Sequence, residues 1–451
     1  FSRAHAEGGV MRIVWLIVLL LVGGAGYYAY TRLEREPPEV STLTTQAFVG
    51  AEYHHLFRFK DAGSGVRHVR IWLESNGKSF PLAEQDYPGS VLTGADLQLE
   101  REIEVTLKPK ELGVGDGSAL LKAEATDYGW LSNKAQVEVP LSIDTTPPRA
   151  SLLTGLTYVR RGGSELAVYT VEDKVAKHGI QVGDKFFPGF VDPGDPARRR
   201  AFYANPTDAP AGVKPTLIVS DRAGNTTKIE MVTSLQDRAF PADTIPLTDE
   251  FMAAKIAEIL QGWSGSPLDG YLKINREVRK ENDGALVELC QKSSVDRIWS
   301  GPFEQMPNTH AGASFAQRRS YVYQGKVVDQ QTHMGYDLAS TSHAPVPAAN
   351  DGVVVFAGPL GIYGNAVVLD HGLGLFSLYG HLSEIDVKNH SAVVKGESLG
   401  KTGTTGLAGG DHLHFAMLLD GVFVDPLEWF DKKWIDEHIE AKLSTRPSTG
   451  G

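Results

Sequence analysis

Four histidines and one aspartate in the C-terminal third of the chain have residue types and spacings that suit metal-assisted hydrolysis. They fall in three short segments and are His333, Asp337, His381, His412 and His414. Eight of the fourteen histidines in this 451-residue chain lie between positions 310 and 414, a concentration that a hydrophobic core does not require. A catalytic Zn²⁺ takes about three nitrogen or oxygen ligands near 2 Å and leaves one position for water. The five residues together therefore predict a zinc hydrolase site.

The spacing within the segments determines how their side chains could share an ion. On a straight strand His333 and Asp337 would lie roughly 13 Å apart, which is too far for one metal. A bend is therefore predicted, and Gly335 is expected to supply the backbone freedom for it. His412 and His414 would point to the same side of a strand with Cα atoms roughly 6.6 Å apart. That spacing suits one ligand beside one residue that reaches the reacting water or the substrate.

These segments resemble the zinc endopeptidases of the lysostaphin/LytM type, which cut peptide cross-links or bridges in bacterial peptidoglycan. The likeness covers about residues 300 to 430 and rests on the His-x-x-x-Asp, Tyr-Gly-His-Leu-Ser and His-Leu-His segments that contain the five residues. It implies that His333, Asp337 and His414 bind zinc. It also implies that His381 and His412 are the catalytic pair, which would handle the proton and the oxyanion while Zn²⁺ activates water.

Several neighbouring residues are interpreted as structural, turn or surface residues rather than as members of the site. Asp411 either orients an imidazole or forms the turn before its strand. His371 is interpreted as structural and Tyr379 as part of an aromatic core. An upstream asparagine blocks zinc in some relatives, but a role outside the site is preferred for Asn308. The histidines without partner spacing are interpreted as surface or loop residues: His310, His343 and His390.

The N-terminal region predicts a membrane segment. Arg12 precedes an uncharged apolar run that ends in a tyrosine cluster at Tyr30, near the lower length limit for spanning a bilayer. An uncleaved anchor is predicted, with a cleavable signal peptide as the alternative. Residues 1–10 are interpreted as upstream sequence, with Met11 as the start. In both cases the bulk of the chain is expected outside the cytoplasm, in the periplasm or facing the cell wall.

The region that follows predicts a mainly β, multidomain chain. Residues 102–107 and 136–141 alternate polar and apolar side chains, which is typical of half-buried antiparallel strands. Residues 216–225 resemble residues 120–129, and two tandem β-sandwich modules are therefore predicted. The ending of residues 221–225 resembles bacterial immunoglobulin-like modules, whose expected role here is that of spacers.

A helical linker is predicted to connect these modules to an antiparallel-β peptidase domain. It begins with Thr248 as N-cap and continues over 271–280 and 285–292, with a break at 282–284. Cys290, the single cysteine, is interpreted as a buried helix residue. The predicted organisation is upstream residues 1–10, membrane segment 11–30, sandwich modules 31–146 and 147–244, helical linker 245–299, zinc peptidase domain 300–432, and a C-terminal helix with a disordered tail 433–451.

The net charge and the predicted architecture reduce the number of possible functions. A net charge of −11 argues against nucleic acid as a partner, and residues 198–200, a run of three arginines, are interpreted as a solvated loop. The leading hypothesis is a membrane-anchored zinc endopeptidase that hydrolyses the stem-peptide cross-links of peptidoglycan during cell-wall remodelling. Two alternatives stay open: a catalytically silent envelope adaptor that binds the cell wall or activates an amidase, and a spacer whose zinc domain merely binds the wall.

Overall fold

The computed structural model describes residues 3–95, 100–172 and 175–444, and it confirms a mainly β, multidomain chain. The chain forms two compact units, Phe1–Pro147 with Ser220–Asn225 and Pro148–Val219 with Thr226–Gly451. The predicted disordered tail falls mostly on residues 445–451, which lie outside the described residues. The predicted domain limits stay predictions.

The first unit contains a long helix followed by a β-sandwich. The helix is α1 (Arg3–Arg32), and its segment Met11–Tyr30 is long and apolar enough to cross a membrane. Sheets of order β1-β3-β8 and β2-β10-β9-β4-β5 enclose a core that includes Phe57 and Ile71. The elements after the helix are β1 (Glu39–Thr42), β2 (Phe48–Val49), β3 (Tyr53–Lys60), β4 (Val66–Ser75), β5 (Lys78–Asp86), β6 (Gly89–Ser90), β7 (Gly94–Ala95), β8 (Glu100–Leu107), α2 (Pro109–Leu112), β9 (Gly117–Asp127) and β10 (Lys134–Ile143).

A second β module follows, and its resemblance to immunoglobulin-like modules stays a prediction. It has sheets of order β11-β13-β17-β16 and β15-β14-β18-β19 and a parallel pair β12-β20. The strands are β11 (Ala150–Leu152), β12 (Thr157–Arg160), β13 (Ser164–Val171), β14 (Lys177–Val182), β15 (Lys185–Pro188), β16 (Phe190–Asp192), β17 (Asp195–Ala204), β18 (Thr216–Ser220), β19 (Thr226–Glu230) and β20 (Thr233–Gln236).

The interpretation of residues 198–200 as a solvated loop is wrong. They lie in the middle of β17, where Arg198 and Arg200 are buried. The Arg198 guanidinium donates hydrogen bonds to the carbonyls of Lys442 and Leu443. Because these acceptors come from more than 240 residues downstream, the local run of charge could not reveal them.

The helical segment is longer and less interrupted than the sequence predicts. Thr248 caps the first helix, since its Oγ1 accepts a hydrogen bond from the Phe251 amide. The predicted break at 282–284 is wrong, because Asn282 and Asp283 remain helical and accept hydrogen bonds from the Ile362 amide and the Tyr363 hydroxyl. The elements are β21 (Ala242–Pro246), α3 (Asp249–Ile259), α4 (Pro267–Lys273), a π-helical turn (Ile274–Val278) and α5 (Arg279–Leu289).

The C-terminal domain contains a large, mostly antiparallel sheet of order β22-β25-β33-β29-β28-β27-β31, with β34 paired to β33. Strands β29 and β33 are buried along their whole lengths. The elements are β22 (His310–Ala313), β23 (Gln317–Tyr323), β24 (Lys326–His333), β25 (Tyr336–Ala339), β26 (Pro345–Pro347), β27 (Gly352–Pro359), a 3₁₀ turn (Gly361–Tyr363), β28 (Asn365–Gly372), β29 (Leu375–Leu382), β30 (Glu384–Ile385), β31 (Ala392–Val393), β32 (Ser398–Lys401), β33 (Leu413–Leu419), β34 (Val422–Val424), α6 (Pro426–Phe430), α7 (Lys432–Ile435), a π-helical turn (Asp436–Glu440) and α8 (Ala441–Ser444).

Candidate active site

Three neighbouring strands bring four of the five predicted side chains together. Asp337 on β25 lies directly opposite His414 on β33. Gly380, the residue before His381, lies opposite His414 on the other side, in the pairing of β29 with β33. His412 immediately precedes β33. The order β25-β33-β29 therefore converts positions that are distant in sequence into adjacent ones.

His333 joins this group through a bend in the chain. It ends β24, which belongs to a separate sheet of order β21-β23-β24, and the chain turns at Gly335 before β25 begins. The predicted reason for the glycine is wrong, because its φ does not lie in the left-handed region. A Cβ at position 335 would instead lie 2.6 Å from His414 Cε1 and 2.7 Å from the Phe415 carbonyl oxygen. Glycine is needed because the His414 ring passes directly over this backbone.

Three donor atoms meet at nearly equal distances. His333 Nε2 lies 2.9 Å from Asp337 Oδ1, and His414 Nδ1 lies 3.0 Å from each of those two atoms. Nitrogen and oxygen ligands about 2.0–2.1 Å from a tetrahedral Zn²⁺ are separated by about 3.3 Å. The triangle of His333, Asp337 and His414 therefore has the size of three ligands around one small cation.

The hydrogen bond at the other side of the His333 ring supports this assignment. His333 Nδ1–H donates to the Ser314 carbonyl at 3.1 Å, so the neutral ring has its lone pair on Nε2. That lone pair points at a carboxylate oxygen. Such a contact between two electron-rich atoms is favourable only when a metal or a proton lies between them. The donor set therefore fits a bound cation.

Arg319 is a charged residue of the site that was not predicted from the sequence, and it contacts Asp337. The Arg319 guanidinium donates to Asp337 Oδ2 at 2.8 Å, which leaves Oδ1 facing the imidazoles. Burial alone raises the pKa of Asp337, but its attraction to His333 and its hydrogen bonds with His333, His412 and His414 outweigh burial and hold the pKa well below its usual value. Arg319 lies on β23, which pairs with the His333 strand, and spacing along the chain does not reveal that pairing.

His381 and His412 lie beside the donor triangle, with ring centroids 4.8 Å apart. His381 Nδ1–H donates to the Thr405 carbonyl at 2.8 Å, and His412 Nδ1–H donates to the Gly410 carbonyl at 2.8 Å. Both rings are therefore held in the tautomer that leaves Nε2 free of a backbone partner. His412 Nε2 lies 3.4 Å from Asp337 Oδ1.

The two histidines differ in proton affinity. Burial, with the neighbouring His412 and His414, lowers the pKa of His381 well below its ordinary value. Burial also acts to lower the pKa of His412, but its hydrogen bond and attraction to Asp337 outweigh that and raise it. His381 therefore binds a proton less readily than His412 does.

A cavity of about 420 Å³ opens above these groups. All five predicted site residues line it, together with Arg319. Its remaining wall includes Ile245, Phe251, Tyr271 and Arg279 from the helical segment and the strand before it. The helical segment therefore contributes directly to the access route, a role that the sequence interpretation as a linker does not include.

The helical segment is also fixed to the loops behind the catalytic pair. Lys255 Nζ donates to the Thr404 carbonyl at 2.7 Å, and Glu258 accepts from the Gly406 amide at 2.5 Å. These contacts flank Thr405, whose carbonyl holds His381. The helices thus help to set the position of a catalytic candidate.

The ordinary interpretations of the neighbouring residues are consistent with the structure. Asp411 accepts hydrogen bonds from Thr402 and from Ser342 and His343, and it makes none with a site imidazole, so it has the turn role. His371 is fully buried and Tyr379 belongs to the core. The residues found exposed and outside the cavity lining are Asn308, His310, His343 and His390.

Comparison with known proteins supports the family resemblance. Residues 331–426 match the model of Peptidase family M23, which confirms a peptidase domain of this type in the C-terminal third. Over 95 residues the chain is 41% identical to the DD-carboxypeptidase/endopeptidase Mpg of Neisseria meningitidis serogroup B, covering 21% of this chain and 22% of that protein. Over 157 residues it is 31% identical to the peptidoglycan DD-endopeptidase ShyA of Vibrio cholerae serotype O1, covering 35% of this chain and 34% of that protein.

A solved structure of the catalytic domain of lysostaphin from Staphylococcus simulans is also similar. It has 27% sequence identity and a TM-score of 0.23, and the match covers 27% of this chain and 92% of that domain. The matched regions of the two curated relatives amount to about a third of their lengths or less.

Proposed function

We propose that this chain is a zinc-dependent endopeptidase that hydrolyses peptide cross-links of bacterial peptidoglycan. The observation that carries the proposal is the triangle of His333 Nε2, Asp337 Oδ1 and His414 Nδ1, with two further imidazoles beside it, inside a segment that matches a peptidase family. The name of ShyA, a peptidoglycan DD-endopeptidase, supports peptidoglycan as the substrate class, and Mpg is likewise named as a DD-carboxypeptidase/endopeptidase. Both are named as DD-enzymes, so the expected bond is the D-alanyl bond between two stem peptides.

The residues of the donor triangle would hold the metal, and the remaining groups would act on the substrate. Bound Zn²⁺ supplies a water of lowered pKa and polarises the scissile carbonyl. His333 keeps its ligand nitrogen turned inward through its bond to the Ser314 carbonyl, and Arg319 occupies the second oxygen of Asp337, which leaves Oδ1 for the metal. His333 and His414 are buried, which strengthens the electrostatic contacts that they make.

His381 and His412 would move the proton and stabilise the charge that develops on the carbonyl oxygen. Each offers its Nε2 to the cavity because its Nδ1–H is occupied by a backbone carbonyl. Among the described residues that line the cavity there is no glutamate, and we assign the proton transfer to these two imidazoles because they lie beside the donor triangle. A positioned imidazole contributes a rate factor of about 10²–10⁴.

The location proposed for this activity is the cell envelope. The apolar helix Met11–Tyr30 would serve as a membrane anchor or an export signal and would place the peptidase domain on the side where the wall lies.

The proposal is tested by digesting purified sacculi with the full chain and separating the products by mass spectrometry. We expect cross-linked dimers to be converted to monomers, and we expect His414→Ala to reduce the rate at least about a thousandfold because the metal loses a ligand. His310→Ala is the matched control, since His310 is exposed and outside the cavity. Binding to sacculi without any new product would favour the adaptor alternative, and full activity of His414→Ala would refute the proposal.

A further inference from the structure

We propose that Glu34, Asp61 and Asp127, here called the acidic cluster, bind a Ca²⁺ ion that ties the segment after the N-terminal helix to the first β-sandwich. One carboxylate oxygen from each residue lies within 4.8 Å of the other two. Oxygen atoms that ligate one Ca²⁺ at about 2.3–2.6 Å lie no more than about 5 Å apart. The three carboxylates are therefore spaced as ligands of a single ion. This proposal does not depend on the hydrolase activity.

The burial of these like charges is compensated either by a bound cation or by the uptake of a proton. Asp127 is 0% exposed and Asp61 is 5% exposed. Burial, together with the negative charges of Glu34 and Asp127, raises the pKa of Asp61. Carboxylates removed from water are strongly unfavourable unless a positive charge accompanies them. No lysine, arginine or histidine in the described parts of the chain forms an ion pair with any of the three.

Unsatisfied oxygen atoms point to the same conclusion. Asp61 Oδ1 accepts a hydrogen bond from the Gly63 amide, but Asp61 Oδ2 is inaccessible to solvent and has no hydrogen-bond partner among the described residues. The hydroxyl of Ser64 is equally buried and without a partner, although the Ser64 amide donates to Glu34 Oε2 at 2.8 Å. Buried polar atoms are nearly always satisfied by protein, water or an ion. Asp61 Oδ2 therefore supplies a free lone pair at the cluster, and the unpaired Ser64 hydroxyl belongs to a residue whose amide contacts Glu34.

The carboxylates are already fixed in orientation. Asp127 Oδ1 accepts from the amides of Gly129 and Asn133, and Asp127 Oδ2 accepts from Asn133 Nδ2. Asn133 Nδ2 also donates to the Glu34 carbonyl at 3.0 Å, which holds the chain beside the cluster two residues after α1 ends. A preformed, oxygen-only site without histidine or cysteine favours Ca²⁺ over Zn²⁺.

The chain contains a second Asp–Asn turn, at Asp221 and Asn225, with the same hydrogen bonds but without additional carboxylates. Asn225 donates from its backbone amide and from Nδ2 to the two oxygens of Asp221, and from Nδ2 to the Asp144 carbonyl. The local pattern repeats that of Asp127 and Asn133, but among the described residues no group of three acidic or histidine side chains gathers at Asp221. The turn therefore accounts for the Asp–Asn pair. It does not account for the additional carboxylates of the acidic cluster.

The test is calorimetric titration of the full chain in detergent with CaCl₂ after treatment with a Ca²⁺ chelator. We expect one saturable site per chain, and affinity at least about tenfold weaker in Asp61→Asn and in Glu34→Gln, because each substitution removes one ligand charge. Asp221→Asn is the matched control and should bind Ca²⁺ as the native chain does. Absence of saturable binding, equal binding by Asp61→Asn, or equally tight binding of MgCl₂ would overturn the proposal.

A thermal measurement on the native chain keeps the test valid if a variant fails to fold. Saturating Ca²⁺ should raise the unfolding temperature of the first unit by roughly 5–10 °C, since an ion that binds only the folded state stabilises it by mass action. An unfolding temperature that is unchanged by Ca²⁺ would contradict the proposal.

Discussion

The chain contains two largely buried carboxylate sites with opposite surroundings. Asp337 is in contact with three imidazoles and the Arg319 guanidinium, and its pKa is held well below its usual value. Asp61 faces other carboxylates, and its pKa is raised. The same type of side chain therefore occurs in surroundings that suit two different metals. Nitrogen-rich surroundings suit Zn²⁺, which polarises a substrate, whereas oxygen-only surroundings suit Ca²⁺, which stabilises a junction.

Among the residues of the proposed zinc site, His381, a proposed catalytic imidazole, gives the largest expected effect. His381→Ala should lower kcat by about 10²–10⁴-fold while zinc content stays at that of the native chain, because His381 lies outside the donor triangle. Steady-state release of monomeric muropeptides, with metal analysis of the same samples, measures both quantities. An equal loss of zinc would place His381 among the ligands instead. His310→Ala again controls for the loss of a histidine.

The close packing beneath His414 can be disturbed without changing a ligand. Gly335→Val should lower activity about a hundredfold and weaken zinc binding, because the new side chain occupies the position of the His414 ring. Gly284→Ala is the matched control, since a Cβ there meets no atom within 4 Å. Zinc affinity of Gly335→Val equal to that of the native chain would show that the ring has room to move.

Substitution of Arg319 removes the guanidinium that contacts Asp337. Arg319→Ala should weaken zinc binding about tenfold, because Asp337 loses the hydrogen bond that fixes its second oxygen. Competition with a chromogenic chelator measures this affinity, and Arg319→Lys should recover part of it. A variant that binds zinc as tightly as the native chain would restrict Arg319 to lining the cavity.

The smallest expected effect is on the free energy of unfolding and concerns His371, a buried histidine outside the cavity lining and the acidic cluster. Burial lowers the pKa of His371 to about 4, so the unfolded chain binds more protons than the folded chain below pH 6.5. Stability is therefore lost as the pH falls from 6.5 toward 4. Between pH 6 and pH 5 the free energy of unfolding should fall by about 1 kcal/mol more in the native chain than in His371→Gln.

Urea unfolding at the two pH values measures this difference. His310→Gln, which changes an exposed histidine, should retain the native pH dependence. Identical slopes for the native chain and His371→Gln would contradict the buried, neutral state of this residue.

The residues of the candidate metal site could be selected from the sequence because their short-range spacings carry information and resemble those of a known family. The His333–Asp337 and His412–His414 pairs are each formed within a few residues, and the alternating strands and the apolar helix follow equally local patterns. Arg319 was not predicted, because its contact with Asp337 depends on the pairing of β23 with β24. The acidic cluster was missed for the same reason, since its members are separated by 27 and 66 positions (61 − 34 and 127 − 61).

Besides the interpretation of residues 198–200, two local interpretations failed because tertiary contacts outweighed local preference. The turn-forming residues at 282–284 remain helical, because Asn282 and Asp283 hydrogen-bond to the 3₁₀ turn at Gly361–Tyr363. Gly335 is needed for space beside His414, not for an unusual φ. Neither reason is visible without the partner strand or loop.

The most direct test of the central claim is restoration of activity after metal removal. The full chain would be stripped of metal, supplied with either Zn²⁺ or Ca²⁺, and assayed for release of monomeric muropeptides from sacculi. We predict that stripping abolishes the activity, that Zn²⁺ restores it and that Ca²⁺ does not. Undiminished digestion by the stripped chain, or restoration by Ca²⁺ alone, would contradict the assignment of His333, Asp337 and His414 as a zinc site.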